Sequence, residues 1–155
     1  MLKGNVFDYL SVQSAYTYNH FRYGSFVKGV DNFSGKKVPS VPTGSFSTLA
    51  DLQLKIGIYA NITYYLASKI YLNDANTAFA KGYDLLGARL GWKKAWQDRR
   101  RLNFYVGADN LLDEKYSLGN DINAAGGRYY NAAPGRNYYV GVSFTLDQKK
   151  TATPN

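Results

Sequence analysis

Three groups of side chains have types and spacings that could do chemistry. The first is Asp109-Asn110-Leu111-Leu112-Asp113-Glu114, an oxygen-rich run that could hold a divalent cation. Calcium loops need oxygens at alternate positions around a central glycine, and this run lacks both. It reads instead as a turn at a strand end, where Asn and Asp bond their own backbone. The second is the basic stretch Lys93, Lys94, Arg99, Arg100 and Arg101. Nucleic acid would need stacking rings beside such cations. None accompanies them on a polar face, so the stretch reads as a turn that is solvated or faces lipid phosphates, and no nucleic-acid partner is expected. The third group combines cations (Lys69, Arg128, Arg136) with rings (Tyr129, Tyr130, Tyr139). Cations steer anions and flat rings stack on flat ligands. Arg136 reads as a cap on the final strand. Arg128 stands open between a ligand contact and a solvated charge. Asp51, Lys55, Lys69 and Arg89 are spaced to line a wall.

Composition removes other chemistry. The 155 residues carry 19 Lys and Arg against 11 Asp and Glu, a net charge of +8, with no Cys and one His. There is no thiol, disulfide or Cys-based zinc site. A lone His20, expected exposed near a strand top, leaves no metal site or cofactor to predict. No Ser lies in a nucleophile-like context that could use His20, so the chain is expected not to be an enzyme. No apolar run approaches about 18 residues, which excludes a membrane helix. Residues 1–6 carry Lys3 with no apolar stretch behind it and do not read as a signal peptide.

The elements that must position these groups are strands. Alternation of apolar and polar residues marks 9–19, 47–57, 61–71, 83–95, 102–110 and 137–146. Six strands of about 10 residues exceed the usual 5–6 and match the 9–11 that cross a bilayer at a tilt. The connections alternate: long over 24–44, tight near 58–60, longer over 72–82, short and charged over 96–101, long over 117–136. That is the build of an outer-membrane barrel. Trp92, Trp96, Phe104 and Phe144 fall at the short-turn end, and Tyr18, Phe46, Tyr71, Tyr116 and Tyr138 at the long-loop end, as two interfacial girdles. The polar face is small (Gly57, Ala67, Gly87, Gly91, Gly107, Gly141, Ser143) and reads as the lining of a wet lumen. The expected fold is all-β: an antiparallel up-and-down meander of about six long strands. It would be part of a transmembrane β-barrel that this chain alone cannot close, since closure starts at about eight strands and open edges are costly in lipid. Alternation does not say which face meets lipid. The other reading is a small self-standing or oligomeric β-barrel, apolar side inward, that binds an apolar ligand.

Residues 102–116 end in Asn110-Leu111-Leu112-Asp113-Glu114-Lys115-Tyr116, and residues 126–144 carry Pro134-Gly135-Arg136 before a strand reaching Phe144. Together they resemble the C-terminal end of a TonB-dependent outer-membrane receptor. Lys37-Val38-Pro39-Ser40-Val41-Pro42 resembles that family's segment before a descending strand, and Gly127-Arg128-Tyr129-Tyr130-Asn131 resembles its ferric-siderophore members. The likeness runs from about residue 9 to 146. It implies a barrel segment over 1–146 with a polar tail over 147–155, in the outer membrane of a Gram-negative bacterium. It also implies energy-coupled import of a scarce nutrient, above all a ferric siderophore. The implied partners are outer-membrane lipid, the remainder of the barrel, a plug domain and, through the plug, the TonB complex. Two departures stand out. The plug and most of the barrel are outside this sequence, and the chain runs past Phe144, where the family's final strand usually ends.

Overall fold

Alternating residues can satisfy both faces of a strand only when the two faces meet different surroundings. The computed structural model describes residues 1–96 and 100–146 and shows how that is met. The strands are β1 (Leu2–Phe7), β2 (Leu10–Tyr18), β3 (Val27–Lys28), β4 (Asp31–Asn32), β5 (Gly44–Gln53) and β6 (Ile58–Ala67). They continue with β7 (Ile70–Tyr71), β8 (Phe79–Ala80), β9 (Tyr83–Trp96), β10 (Arg100–Asp109) and β11 (Asn137–Leu146). Seven of them form one antiparallel sheet in the order β1-β2-β5-β6-β9-β10-β11. The sheet is not closed, and β1 and β11 are its edges. The pairs β3-β4 and β7-β8 are small hairpins inside long loops. Each long strand touches only its neighbours in the sheet, so among the described residues no second layer packs on either face.

The meander is thus as expected, with seven long strands in place of six. The additional one, β1, carries Leu-Lys-Gly-Asn-Val-Phe, which does not alternate, and its pairing with β2 is irregular between Asn5 and Phe7. The tight turn expected near 58–60 lies at Leu54–Gly57, where Gly57 N–H donates to the Leu54 carbonyl at 3.0 Å. Gly57 has φ +90, and a Cβ there would lie 2.2 Å from the Lys93 carbonyl oxygen, so only glycine fits this turn. The third expected strand shifts accordingly. It starts at Ile58 and stops at Ala67, while Ile70 and Tyr71 leave the sheet. At the other end β11 continues through Thr145 to Leu146, so Phe144 is not its last residue. The short connection containing Arg99 and the tail 147–155 lie outside the described residues.

Sidedness follows from register. In β2, β5, β6, β9, β10 and β11 every exposed large apolar residue lies on one face. Leu90 keeps 55% of its surface exposed, Val140 67% and Val142 66%. The opposite face holds Tyr59 at 8%. A ten-residue strand at about 3.4 Å per residue and a tilt near 45° spans about 24 Å, the height of a barrel's apolar band. The loops at 19–43, 68–82 and 110–136 gather at one end, with short turns at the other. Trp92, Trp96, Phe104 and Phe144 sit on the apolar face towards the short turns, and Tyr18, Phe46 and Tyr138 on the same face at the loop end. Tyr71 and Tyr116 do not join that girdle. Tyr71 lies in β7, and Tyr116 packs on Tyr83 of the polar face with ring centroids 4.7 Å apart.

Candidate functional site

The chain's chemistry is distributed over three places: the seam between β10 and β11, the cluster of long loops, and the polar face of the sheet.

The seam explains why two sequence motifs occur together. Asn110 is buried at 6% and has φ +49, a backbone region that Asn tolerates better than most residues. Its side-chain oxygen accepts the Glu114 N–H at 2.9 Å, and its amide donates to the carbonyls of Glu114 (3.0 Å) and Pro134 (3.3 Å). Asp113, at φ +56, accepts the Arg136 backbone N–H at 3.0 Å. Lys115 Nζ stands 3.4 Å from the same carboxylate. The Arg136 N–H first, and then the Lys115 ammonium, hold the Asp113 carboxyl below the usual carboxylate range. Leu111 N–H donates to the Leu86 carbonyl at 2.8 Å, and Tyr116 accepts from Ala133 N–H at 3.1 Å. The Asn-Leu-x-Asp turn therefore grips the Pro-Gly-Arg lead-in, and the side-chain oxygens of Asn110 and Asp113 serve backbone N–H groups. Arg136 contributes its backbone at the start of the last strand.

The long loops form one hydrogen-bonded cap. Tyr23 Oη donates to Asp74 Oδ1 at 2.6 Å, and Asn123 Nδ2 to Asp74 Oδ2 at 2.9 Å. Asp74 beside it pushes the Tyr23 phenol up to about 12, through their hydrogen bond above all. Asn76 exchanges two 2.8 Å bonds with the Lys37 backbone. Lys36 Nζ reaches the Ala75 carbonyl at 2.9 Å, and Tyr130 Oη the Phe79 carbonyl at 2.9 Å. Leu72, at the centre of this cap, is fully buried. Sequence reading missed Asp74, Asn76 and Asn123, because contacts between distant loops leave no periodic signal.

The polar face is plated with rings. Tyr59, Tyr105 and Tyr139 lie directly across from Gly91, Gly141 and Gly107 in the register. A Cβ on those glycines would come within 2.3, 2.2 and 2.3 Å of the respective ring carbons. The smallness of this face therefore makes room for flat tyrosines; it does not leave the wall empty. Arg89 lies against two of the rings, its guanidinium carbon 4.8 Å from the Tyr105 centroid and 5.5 Å from that of Tyr139. Tyr59 Oη donates to Asn103 Oδ1 at 2.9 Å. Towards the loops the same face and Tyr116 enclose a concavity of about 620 Å³.

The expected ligand-facing residues are not gathered in one place. Tyr139 belongs to the wall with Arg89. Lys69 is in the cap, its ammonium 5.1 Å from the Tyr71 ring and 5.4 Å from the Phe79 ring. Tyr130 is also in the cap, tied to Phe79 and edge-on to Tyr129 at 6.3 Å. Arg128 is exposed beside the 3₁₀ turn Ala125–Gly127. Of the four charges expected to line a wall, Asp51 and Arg89 do, while Lys55 lies in the Leu54–Gly57 turn and Lys69 in a loop. His20 packs between Tyr18 and Arg22.

No family model matches the sequence. Solved structures match the fold over most of the chain. The ferric preacinetobactin receptor BauA from Acinetobacter baumannii matches with a TM-score of 0.73 at 18% identity, over 92% of this chain and 20% of that one. The ferric citrate transporter FecA matches with a TM-score of 0.71 at 20% identity, over 89% and 21%. The ferric yersiniabactin uptake receptor FyuA from Yersinia pestis matches with 0.67 at 21% identity, over 95% and 22%. The chain thus spans about a fifth of the length of these receptors. It has the fold of a stretch of the β-barrel of these receptors.

Proposed function

We propose that residues 1–146 form the C-terminal wall segment of a TonB-dependent receptor in the outer membrane of a Gram-negative bacterium, followed by a short polar tail. The receptor imports a scarce nutrient, a ferric siderophore above all, and performs no covalent chemistry. The observation that carries this reading is the one-sided exposure of the sheet: apolar side chains cover one face, and among the described residues no other element packs on them. Lipid is the surrounding that suits such a face. The unpaired edges of β1 and β11 call for partner strands, supplied by the remainder of the barrel. The lumen is filled by a plug domain, through which the TonB complex acts. In the cap, Lys69 and Arg128 steer an anionic chelate and Tyr129 and Tyr130 offer it stacking surface, while Tyr139 serves lower down the wall.

The same open edges suit a second reading, in which copies of a short chain complete a small oligomeric barrel. Intact mass separates the two. An antibody against the 117–136 loop, used on denatured outer membranes of the native host, detects a band several times larger than 17.3 kDa if the receptor reading holds. A band at 17.3 kDa rejects it in favour of the small barrel.

A further inference from the structure

Arg89 is set against rings on the polar face rather than against an acid. It sits seventh in the fourteen-residue β9, far from either strand end, on the face opposite the exposed apolar band. In the register it stands in the row Asp51, Asn61, Arg89, Gly107, Tyr139. The acid of that row is taken: Asp51 accepts the Asn61 amide at 2.5 Å. Asp51 is also two strands away, about 10 Å at the usual strand spacing. Among the described residues no carboxylate lies within ion-pair distance of Arg89, whose guanidinium lies instead against the Tyr105 and Tyr139 rings. Lys93, four residues along on the same face, adds positive charge and bonds Gln53. Two rings hold the guanidinium at 4.8 and 5.5 Å, and the glycines across from those rings let them lie flat enough to do so. An arginine seated against two rings is restrained before any ligand arrives, and among the described residues its N–H groups have no acidic partner. That is the preorganised half of a two-pronged guanidinium–carboxylate pair.

We infer that Arg89, seated against the edge-on pair Tyr105 and Tyr139, is a carboxylate-binding site on the inward face of the wall. The inference rests on the barrel-wall reading, since only a closed barrel places this face around a lumen. The carboxylate has two sources: an acidic side chain of the protein that fills the lumen, or a soluble carboxylate passing through it.

The test uses the full-length receptor with Arg89 intact, as R89K, which keeps the charge and loses the fork, and as R89Q, which loses both. Heat-modifiable mobility on gels confirms that each barrel is folded, and R89K carries the test if R89Q does not fold. One arm measures citrate binding by calorimetry. The other measures the urea concentration at which the purified receptor starts to conduct ions across a planar bilayer. In the arm that reads the true source, R89Q is expected to weaken citrate binding about tenfold or to conduct at clearly lower urea, with R89K in between. A change in the citrate arm alone identifies a soluble carboxylate, and a change in the urea arm alone identifies an acidic side chain. Folded variants that match the wild type in both arms overturn the inference. A 17.3 kDa chain that conducts without urea removes the barrel-wall reading, and the inference with it.

Discussion

Asp113 joins two stretches of chain through one carboxylate, accepting the Arg136 N–H at 3.0 Å with the Lys115 ammonium at 3.4 Å. Both favour the charged form, the N–H more than the ammonium. A carboxyl that binds its proton less readily when folded stabilises the fold above its unfolded pKa of about 4 and loses that contribution as pH falls through its lower folded value. Asp113→Asn is therefore expected to unfold more easily than wild type at pH 7, with the gap closing as the pH is lowered towards 3. Denaturant unfolding of the receptor in detergent at several pH values checks this. A gap of constant size would mean the charge of Asp113 does nothing. The sequence showed that Asn110, Asp113 and Pro134-Gly135-Arg136 belong together, but not why. The reason is three-dimensional: the side chains of one motif bond the backbone of the other.

At the scale of elements, the strands that alternate cleanly were legible from sequence and the others were not. β1 carries Lys3, Gly4 and Asn5 in succession and gave no signal, although it pairs with β2. The Leu54–Gly57 turn was hidden because Leu54, Ile56 and Ile58 continue the apolar alternation straight through it. Glycines on the polar face were visible as a composition. Their pairing with tyrosines was not, because register belongs to two strands at once. That pairing has an energetic consequence. Gly91→Ala places a methyl 2.3 Å from the Tyr59 ring, which must lift from its seat and release its 2.9 Å bond to Asn103. A loss of about 1–3 kcal/mol is expected. Gly4→Ala, where a Cβ meets nothing within 4 Å, is the matched control. Unfolding midpoints of the two variants should differ clearly, and equal midpoints would show that the ring is not seated as described.

For the whole molecule, the decisive contrast is between the two faces of one sheet. Leu90 lies in mid-strand on the exposed apolar face, flanked by Ala60 and Val106. On the proposed barrel-wall reading an arginine there enters the bilayer centre at a cost of about 2–4 kcal/mol. Ser143 is on the opposite face. Leu90→Arg is thus expected to lower the amount of folded receptor in the outer membrane, while Ser143→Arg leaves it near wild type. Equal effects would assign both faces to water. The loop end carries a different implication. Residues near 23, 74 and 123 are brought together there by a single carboxylate, Asp74. If the proposed receptor presents this end to the outside, the surface it shows to an immune system or a phage is a mosaic of three distant stretches. A serum raised against the folded cap should bind native cells and ignore peptides copied from any one loop.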